Sequence, residues 1–254
     1  MSTNEFSGHV AIVTGAGQGI GFEISRQLCI QGASVLINDI NETLVDEAVA
    51  KISTHGRCTG LAGDAGDAAF IQSMVDEAVN KFGKLTIAVA NAGITLFGDF
   101  FEYKLQNLQA VMNLNIGGSF LLAQAAAKQM KQQNSGGSIL LMSSVTGHQA
   151  HKNLAAYGIT KAALEMLAKT LVVELSPYNI SINAIAPGAT VTERTSEDKD
   201  YKTTWSRITP MGKPAMVEDI ANAALFMVSP ASRHVTGQSL VIDGGWTSVS
   251  PSPY

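Results

Sequence analysis

The segment 155–164, AAYGITKAAL, sets a phenol and an ammonium four residues apart among small and apolar neighbours. A phenol ionises only near pH 10, so alone it is a poor base at neutral pH. A positive charge within a few ångströms stabilises the phenolate, and residues four apart on a helix are neighbours. Tyr157 and Lys161 are thus a pair suited to moving a proton. At about 100° per residue they lie within about 40° of each other, and Leu164, Ala168, Leu171 and Leu175 continue the same line. The polar pair extends a sheet-facing stripe to where it would leave the core and enter a crevice.

A second chemical feature is TGAGQGIG, residues 14–21, between the strand-like run HVAIVTG and the helical run FEISRQLCIQG. Glycines there let a backbone approach phosphate, and free N–H groups at the helix start face the anion. The spacing is not the common G-x-G-x-x-G fingerprint, because Ile20 stands in the pattern. Asp39 closes the next apolar run, 18 residues after Gly21. A carboxylate there accepts both hydroxyls of an adenosine ribose and repels a 2′-phosphate. Its other reading, a helix cap, is better filled by Asn41. Gln18 and Ile40 supply no cation for an extra phosphate, so the expected cofactor is NAD rather than NADP. Asp64 is a weaker case, because Asp67 already offers a cap and either can be turn chemistry.

The elements that must position these groups are legible as a β-α alternation. Runs at 9–15, 34–39, 57–64, 85–93, 137–144, 180–188 and 238–245 are almost continuously apolar and end in Gly, Asp, Asn or Ser. Continuous rather than alternating runs belong to parallel strands covered on both faces. Between them, ETLVDEAVAKI sets Leu44, Val45, Ala48, Val49 and Ile52 on one stripe. The expected fold is a single α/β domain over 1–254, a doubly wound parallel sheet with helices on both faces. Segment 189–212 lacks strand or strong helix signals and reads as a lid or a disordered insert. Its Thr, Ser, Glu, Asp and Lys residues suit either a polar substrate or a solvated outer face.

Composition narrows the function classes. The 254 residues are 46% hydrophobic and 15% charged, with 24 glycines and a net charge of −4, and hold no basic run. Nucleic acid and anionic membrane are not expected partners. No apolar run approaches the roughly 18 residues of a membrane span. The start MSTNEFSGHVAIVTG lacks the basic-then-apolar pattern of a signal peptide. Cys29 and Cys58 have no metal spacing and read as free thiols, so the expected setting is a reducing cytoplasm, with no metal site.

The motifs TGAGQGIG, ANAG (90–93), Asn115 in LNIGGSF, SSVTG (143–147), YGITK (157–161), NAIAPG (183–188) and VTGQSLVIDGG (235–245) occur in this order. Together they resemble the short-chain dehydrogenase/reductase family over essentially the whole chain. The resemblance implies a Rossmann fold of about seven strands in the order 3-2-1-4-5-6-7. It implies that Tyr157 is the general acid/base, that Lys161 assists it and holds the nicotinamide ribose, and that Ser144 steadies the substrate oxygen. Asn115, rather than Asn113, matches the family asparagine that relays protons from Lys161. For the cofactor it implies contacts at Gly15, Gln18, Gly19, Ile20, Asp39, Asp64, Ala65, Asn91, Ala92 and Gly93. Tyr157, Lys161, Pro187, Gly188, Thr190 and Thr192 complete that set. His148 and His151 lie where members place substrate-facing groups, and solvated loop histidines are their other reading; Trp205 and Met211, in segment 189–212, are candidate pocket walls, with packing as the alternative. Ala90 replaces a commoner asparagine and Thr190 a commoner Ile or Val; neither touches the chemistry. A homotetramer is implied, with the helix at 103–131 and the C-terminal strand region as interfaces. The expected reaction is interconversion of a secondary alcohol, such as a sugar, polyol or hydroxy acid, and its ketone. The competing readings are an NADPH-linked reductase of 3-oxoacyl-carrier substrates, which wants a cation near 18 or 40, and a non-catalytic dinucleotide sensor, which wants a broken catalytic set.

Overall fold

The computed structural model describes residues 4–250; Met1–Thr3, at the head of the segment read for a signal peptide, and the last four residues lie outside the description. Seven parallel strands form the main sheet: β1 (Val10–Val13), β2 (Ser34–Asp39), β3 (Cys58–Ala62), β4 (Ile87–Ala90), β5 (Gly137–Met142), β6 (Ile180–Pro187) and, last, β9 (Ser239–Ile242). Two two-residue strands, β7 (Thr190–Val191) and β8 (Ala215–Met216), pair with each other and intervene in the numbering. The order β3-β2-β1-β4-β5-β6-β9 is the expected one.

Successive side chains on a strand point to opposite faces, and here each face is a separate core. Ala11, Val13, Val35, Ile37, Val89 and Leu140 enter one core, with Ile24 and Leu28 of α1 (Gly19–Ile30) and Ile220 and Leu225 of α8 (Val217–Val228). Ile12, Leu36, Ala88, Ile139 and Leu141 enter the other. That core is completed by Met74 of α3 (Ala68–Phe82), Leu122 and Ala126 of α5 (Ser119–Gln132), and Leu164 and Ala168 of α6 (Ala155–Leu175). This double covering is why the strands read as unbroken apolar runs. Each large aliphatic so buried contributes about 1.5–3 kcal/mol.

The remaining helices are α2 (Glu42–Ile52), capped by Asn41, whose side chain accepts from Leu44 N at 3.2 Å, and α4 (Leu105–Met112). A π-helical turn, Asn113–Gly118, joins α4 to α5. By length and composition Leu105–Gln132 would pass for a membrane span, yet Leu122, Ala123, Ala126 and Met130 on it are core residues packed on the sheet. Segment 189–212 is not structureless. It holds β7, a 3-10 turn and the helix α7 (Tyr201–Ile208). Cys29 and Cys58, on α1 and β3, are both free, the first buried and the second partly so.

Candidate active site

Two adjoining cavities open beyond the carboxyl ends of the strands, where doubly wound sheets place ligands at the point of strand-order reversal between β1 and β4. The larger, about 420 Å³, is lined by Gly15, Gln18, Gly19, Ile20, Asp39, Asp64, Ala65, Asn91, Ala92 and Gly93, with Thr192, Glu193 and Arg194 on the far wall. The smaller, about 210 Å³, is lined by Ser144, Tyr157, Lys161, Pro187, Gly188, Thr190, Thr192 and Tyr201.

The glycine loop is shaped for close approach. Gly15 has φ +60°, a left-handed conformation, and a Cβ there would sit 2.8 Å from Ala92 Cα. At Gly21 a Cβ would lie 2.5 Å from both Gly15 O and Asn91 Nδ2. Four hydrogen bonds tie this loop to the turn after β4. Asn91 Nδ2 donates to Thr14 O (2.9 Å) and Gly15 O (2.8 Å), and the Thr14 hydroxyl accepts from the N–H groups of Asn91 and Ala92 (both 3.1 Å). Thr14 was not singled out from sequence; its place between the end of β1 and the first glycine of the loop was the only signal. Gln18 makes no side-chain cap on α1, so N–H groups of its first turn are left for an anion. Asp39 Oδ2 accepts from Gly17 N at 3.1 Å and Oδ1 from Asn41 N at 3.3 Å, which holds the carboxylate at the cavity wall. Asp64 accepts from Gly66 N at 2.7 Å. A cradle that admits no Cβ, free helix-start amides and a carboxylate one strand away fit a dinucleotide.

In the smaller cavity Lys161 is buried, and its Nζ donates to Met142 O at 2.7 Å and lies 5.3 Å from the Tyr157 ring centre. Ser144 has extended backbone, and its Oγ accepts from Thr146 N at 3.3 Å. Asn115 is buried in the π-helical turn. Its Oδ1 accepts from Ile94 N (2.9 Å) and its Nδ2 donates to Ile94 O (3.0 Å) and Thr160 Oγ1 (3.1 Å). No direct hydrogen bond joins it to Lys161, but both flank Gly93, whose added Cβ would lie 3.1 Å from Asn115 Oδ1 and 3.5 Å from Lys161 Nζ. Asn113 is exposed and faces Gly66 instead.

The other candidates fall elsewhere. Neither cavity is lined by His148, His151 or Trp205. His148 Nε2 pairs with Glu165 Oε1 at 2.8 Å, and the Ser143 hydroxyl lies 2.7 Å from the same oxygen and 2.9 Å from Lys161 O. His148 is thus spent on fastening the Ser144 loop to α6. His151 stacks on Trp246 with ring centres 5.0 Å apart, and Trp246 meets Trp205 edge-on at 5.5 Å. Burial lowers the His151 pKa from its ordinary value. Met211 is exposed. The charged residues of 189–212 mostly face solvent, so the outer-face reading holds for them. The segment's cavity-facing residues are Thr190, Thr192, Glu193, Arg194, Thr195 and Tyr201. Tyr201 was missed from sequence. Its phenol oxygen accepts from Thr190 N at 3.0 Å, and burial raises its pKa against the opposing pull of that bond.

A family profile described as "Enoyl-(Acyl carrier protein) reductase" matches residues 15–247. Tropinone reductase-like 3 of Erythroxylum coca is 33% identical, over 98% of this chain and 96% of its own length. The chain belongs to the short-chain dehydrogenase/reductase family. Another short-chain relative, 2-dehydro-3-deoxy-D-gluconate 5-dehydrogenase of Dickeya dadantii, is 33% identical over 97% of this chain and 98% of its own. The crystal structure of a short-chain type dehydrogenase/reductase from Mycobacterium marinum superposes with a TM-score of 0.91 at 32% identity, covering 95% of this chain and 96% of that one. As a short-chain dehydrogenase/reductase, this protein is an oxidoreductase of a group that uses nicotinamide cofactors and acts on hydroxyl groups.

Proposed function

We propose that this protein is an NAD-dependent dehydrogenase interconverting a polar secondary alcohol, of the sugar, polyol or hydroxy-acid kind, and its ketone. The observation that carries the reading is that Ser144, Tyr157 and Lys161 line one cavity, adjoining a cleft built for a dinucleotide. The bound nicotinamide supplies the hydride acceptor or donor. Tyr157 Oη takes the hydroxyl proton in oxidation and returns it in reduction. Lys161 sets its positive charge beside the phenolate and keeps ammonium protons for a ribose. The Ser144 hydroxyl steadies the charge that develops on the substrate oxygen. Asn115 holds the Ile94 turn beside Lys161, the side on which protons reach solvent. Asp39 is the support for NAD, and the hydroxyls of Thr95, Thr190, Thr192 and Thr195 in the catalytic cavity are the support for a polar substrate.

Assembly as a homotetramer belongs to the same proposal, supported by the exposed Met112, Phe120, Ile159, Met166 and Val173 on α4–α6 and their bounding turn; light scattering tests it. Two unpaired thiols suit a cytoplasmic setting. The direct test of function is a panel of secondary alcohols and polyols with NAD, followed by NADH absorbance. Tyr157→Phe should cut turnover roughly 10²–10⁴-fold while NADH binding, read by fluorescence, stays within a few-fold. Substantial residual turnover would remove Tyr157 from the proton step.

A further inference from the structure

Resting on the dinucleotide reading, we infer that Arg194 is the cation that closes over the cofactor pyrophosphate. Five residues line both cavities: Ile20, Asn91, Gly93, Thr192 and Arg194. They mark the neck between the adenosine side and the catalytic side, and a dinucleotide spanning both must thread its two phosphates through that neck. Across from Arg194 stand the first amides of α1. A Cβ placed on Gly19 would lie 3.7 Å from Thr192 Cγ2 and 3.6 Å from Glu193 Oε2, so the 192–194 turn faces the glycine loop directly.

Charge makes the assignment specific. The larger cavity is lined by the carboxylates Asp39, Asp64 and Glu193, and Arg194 is the one cation on its wall among the described residues. Lys161, in the smaller cavity, already donates to Met142 O. An anion carrying two charges therefore passes from a cavity walled by three carboxylates into a neck whose one charged side chain, among the described residues, is Arg194. A guanidinium offers a planar fork of donors that matches phosphate oxygens. The backbone beneath it is set by short bonds. Thr192 N donates to Thr195 Oγ1 at 2.8 Å, Thr195 Oγ1 to Thr190 O at 3.0 Å, and Ser196 Oγ to Thr192 O at 2.8 Å. The Arg194 side chain is exposed and makes no ion pair among the described residues, so it is available for the phosphates.

The test is titration of NADH, ADP-ribose and adenosine into the wild-type protein, Arg194→Ala and Arg194→Lys, by calorimetry or by displacement of NADH fluorescence. Arg194→Ala should weaken NADH and ADP-ribose by about 10–100-fold, the value of losing charge-assisted bonds, and leave adenosine, which has no phosphate, unchanged. Arg194→Lys should recover part of the loss. Unchanged ADP-ribose affinity in Arg194→Ala, including the case where only the KM for the alcohol rises, overturns the inference. So does an equal loss for all three ligands, adenosine included. A wild-type protein that binds neither NADH nor ADP-ribose overturns the dinucleotide reading itself.

Discussion

Replacing Asp39 with alanine tests the proposed choice between NAD and NADP. In the structure the carboxylate holds Gly17 N and Asn41 N at 3.1 and 3.3 Å and lines the larger cavity. In the proposed complex it accepts the ribose hydroxyls. Bonds to a charged acceptor are worth about 1.5–3 kcal/mol, and partial exposure favours the lower half of that range, so NAD should bind roughly 10–50-fold more weakly. For NADP the sign reverses. A carboxylate and a phosphate charge about 5 Å apart repel by about 1–3 kcal/mol at effective dielectrics between bulk water and a protein surface. Removing the carboxylate relieves that repulsion, and the ratio of the two affinities should move by roughly 10²–10³. Slackening of the glycine loop, from the lost bond to Gly17 N, weakens both cofactors alike and cancels in the ratio. Asp39→Asn sharpens the comparison, since it keeps an acceptor for Gly17 N and removes only the charge. The assay is a pair of binding titrations, NADH and NADPH, on the wild-type protein and both variants. A ratio that stays within about threefold would refute the ribose assignment.

Two further outcomes follow from the loop that carries Ser144. Glu165→Gln removes the charge shared by His148 and Ser143 and should cost about 1–2 kcal/mol of stability; a double-mutant cycle of thermal melts with His148→Gln should show coupling, and strictly additive losses would dissolve the link. Because burial lowers the His151 pKa, the folded protein holds this ring neutral where an unfolded chain would protonate it. Its contribution is complete above the ordinary histidine value near 6.5 and is lost progressively as pH falls from there toward the lowered value. The chain has two tryptophans, and both lie in this cluster, Trp246 against the ring and Trp205 against Trp246. Intrinsic fluorescence of the folded wild-type protein should change at the acid end of that window, where the ring at last protonates beside Trp246, and not in His151→Gln.

The parts of the fold that the sequence made legible are those whose signal is local. A strand covered on both faces must be apolar at successive positions, so β1, β2, β5 and β6 stand out. The glycine loop declares itself because a Cβ at Gly15 or Gly21 has nowhere to go. The parts that stayed hidden depend on partners far along the chain. Tyr201, Trp205 and Ile208 are spaced as one helical stripe, but eight residues among polar neighbours are too short to be a stable helix alone. In α7, Tyr201 bonds to β7 and Trp205 rests on Trp246, 41 residues later, so tertiary contacts decide its conformation. His148 looked free to meet a substrate because Glu165, its partner, lies on the next helix. The π-helical turn at Asn113–Gly118 has a similar cause. Gly118 presses on the Ala65 carbonyl too closely for any Cβ, and the widened turn lets Asn115 reach Ile94.

The segment 189–212 then has a physical division of labour. Most of its charged residues face water and keep a short helix solvated, while its hydroxyls, Glu193 and Arg194 face the cavities. Thr190 is buried on the wall of the catalytic cavity, and a buried amide without a partner costs about 1–3 kcal/mol. Tyr201 supplies that partner from α7. That one bond fixes the Tyr201 end of α7 to β7, so the wall of the catalytic cavity is held by a contact between two parts of the same segment.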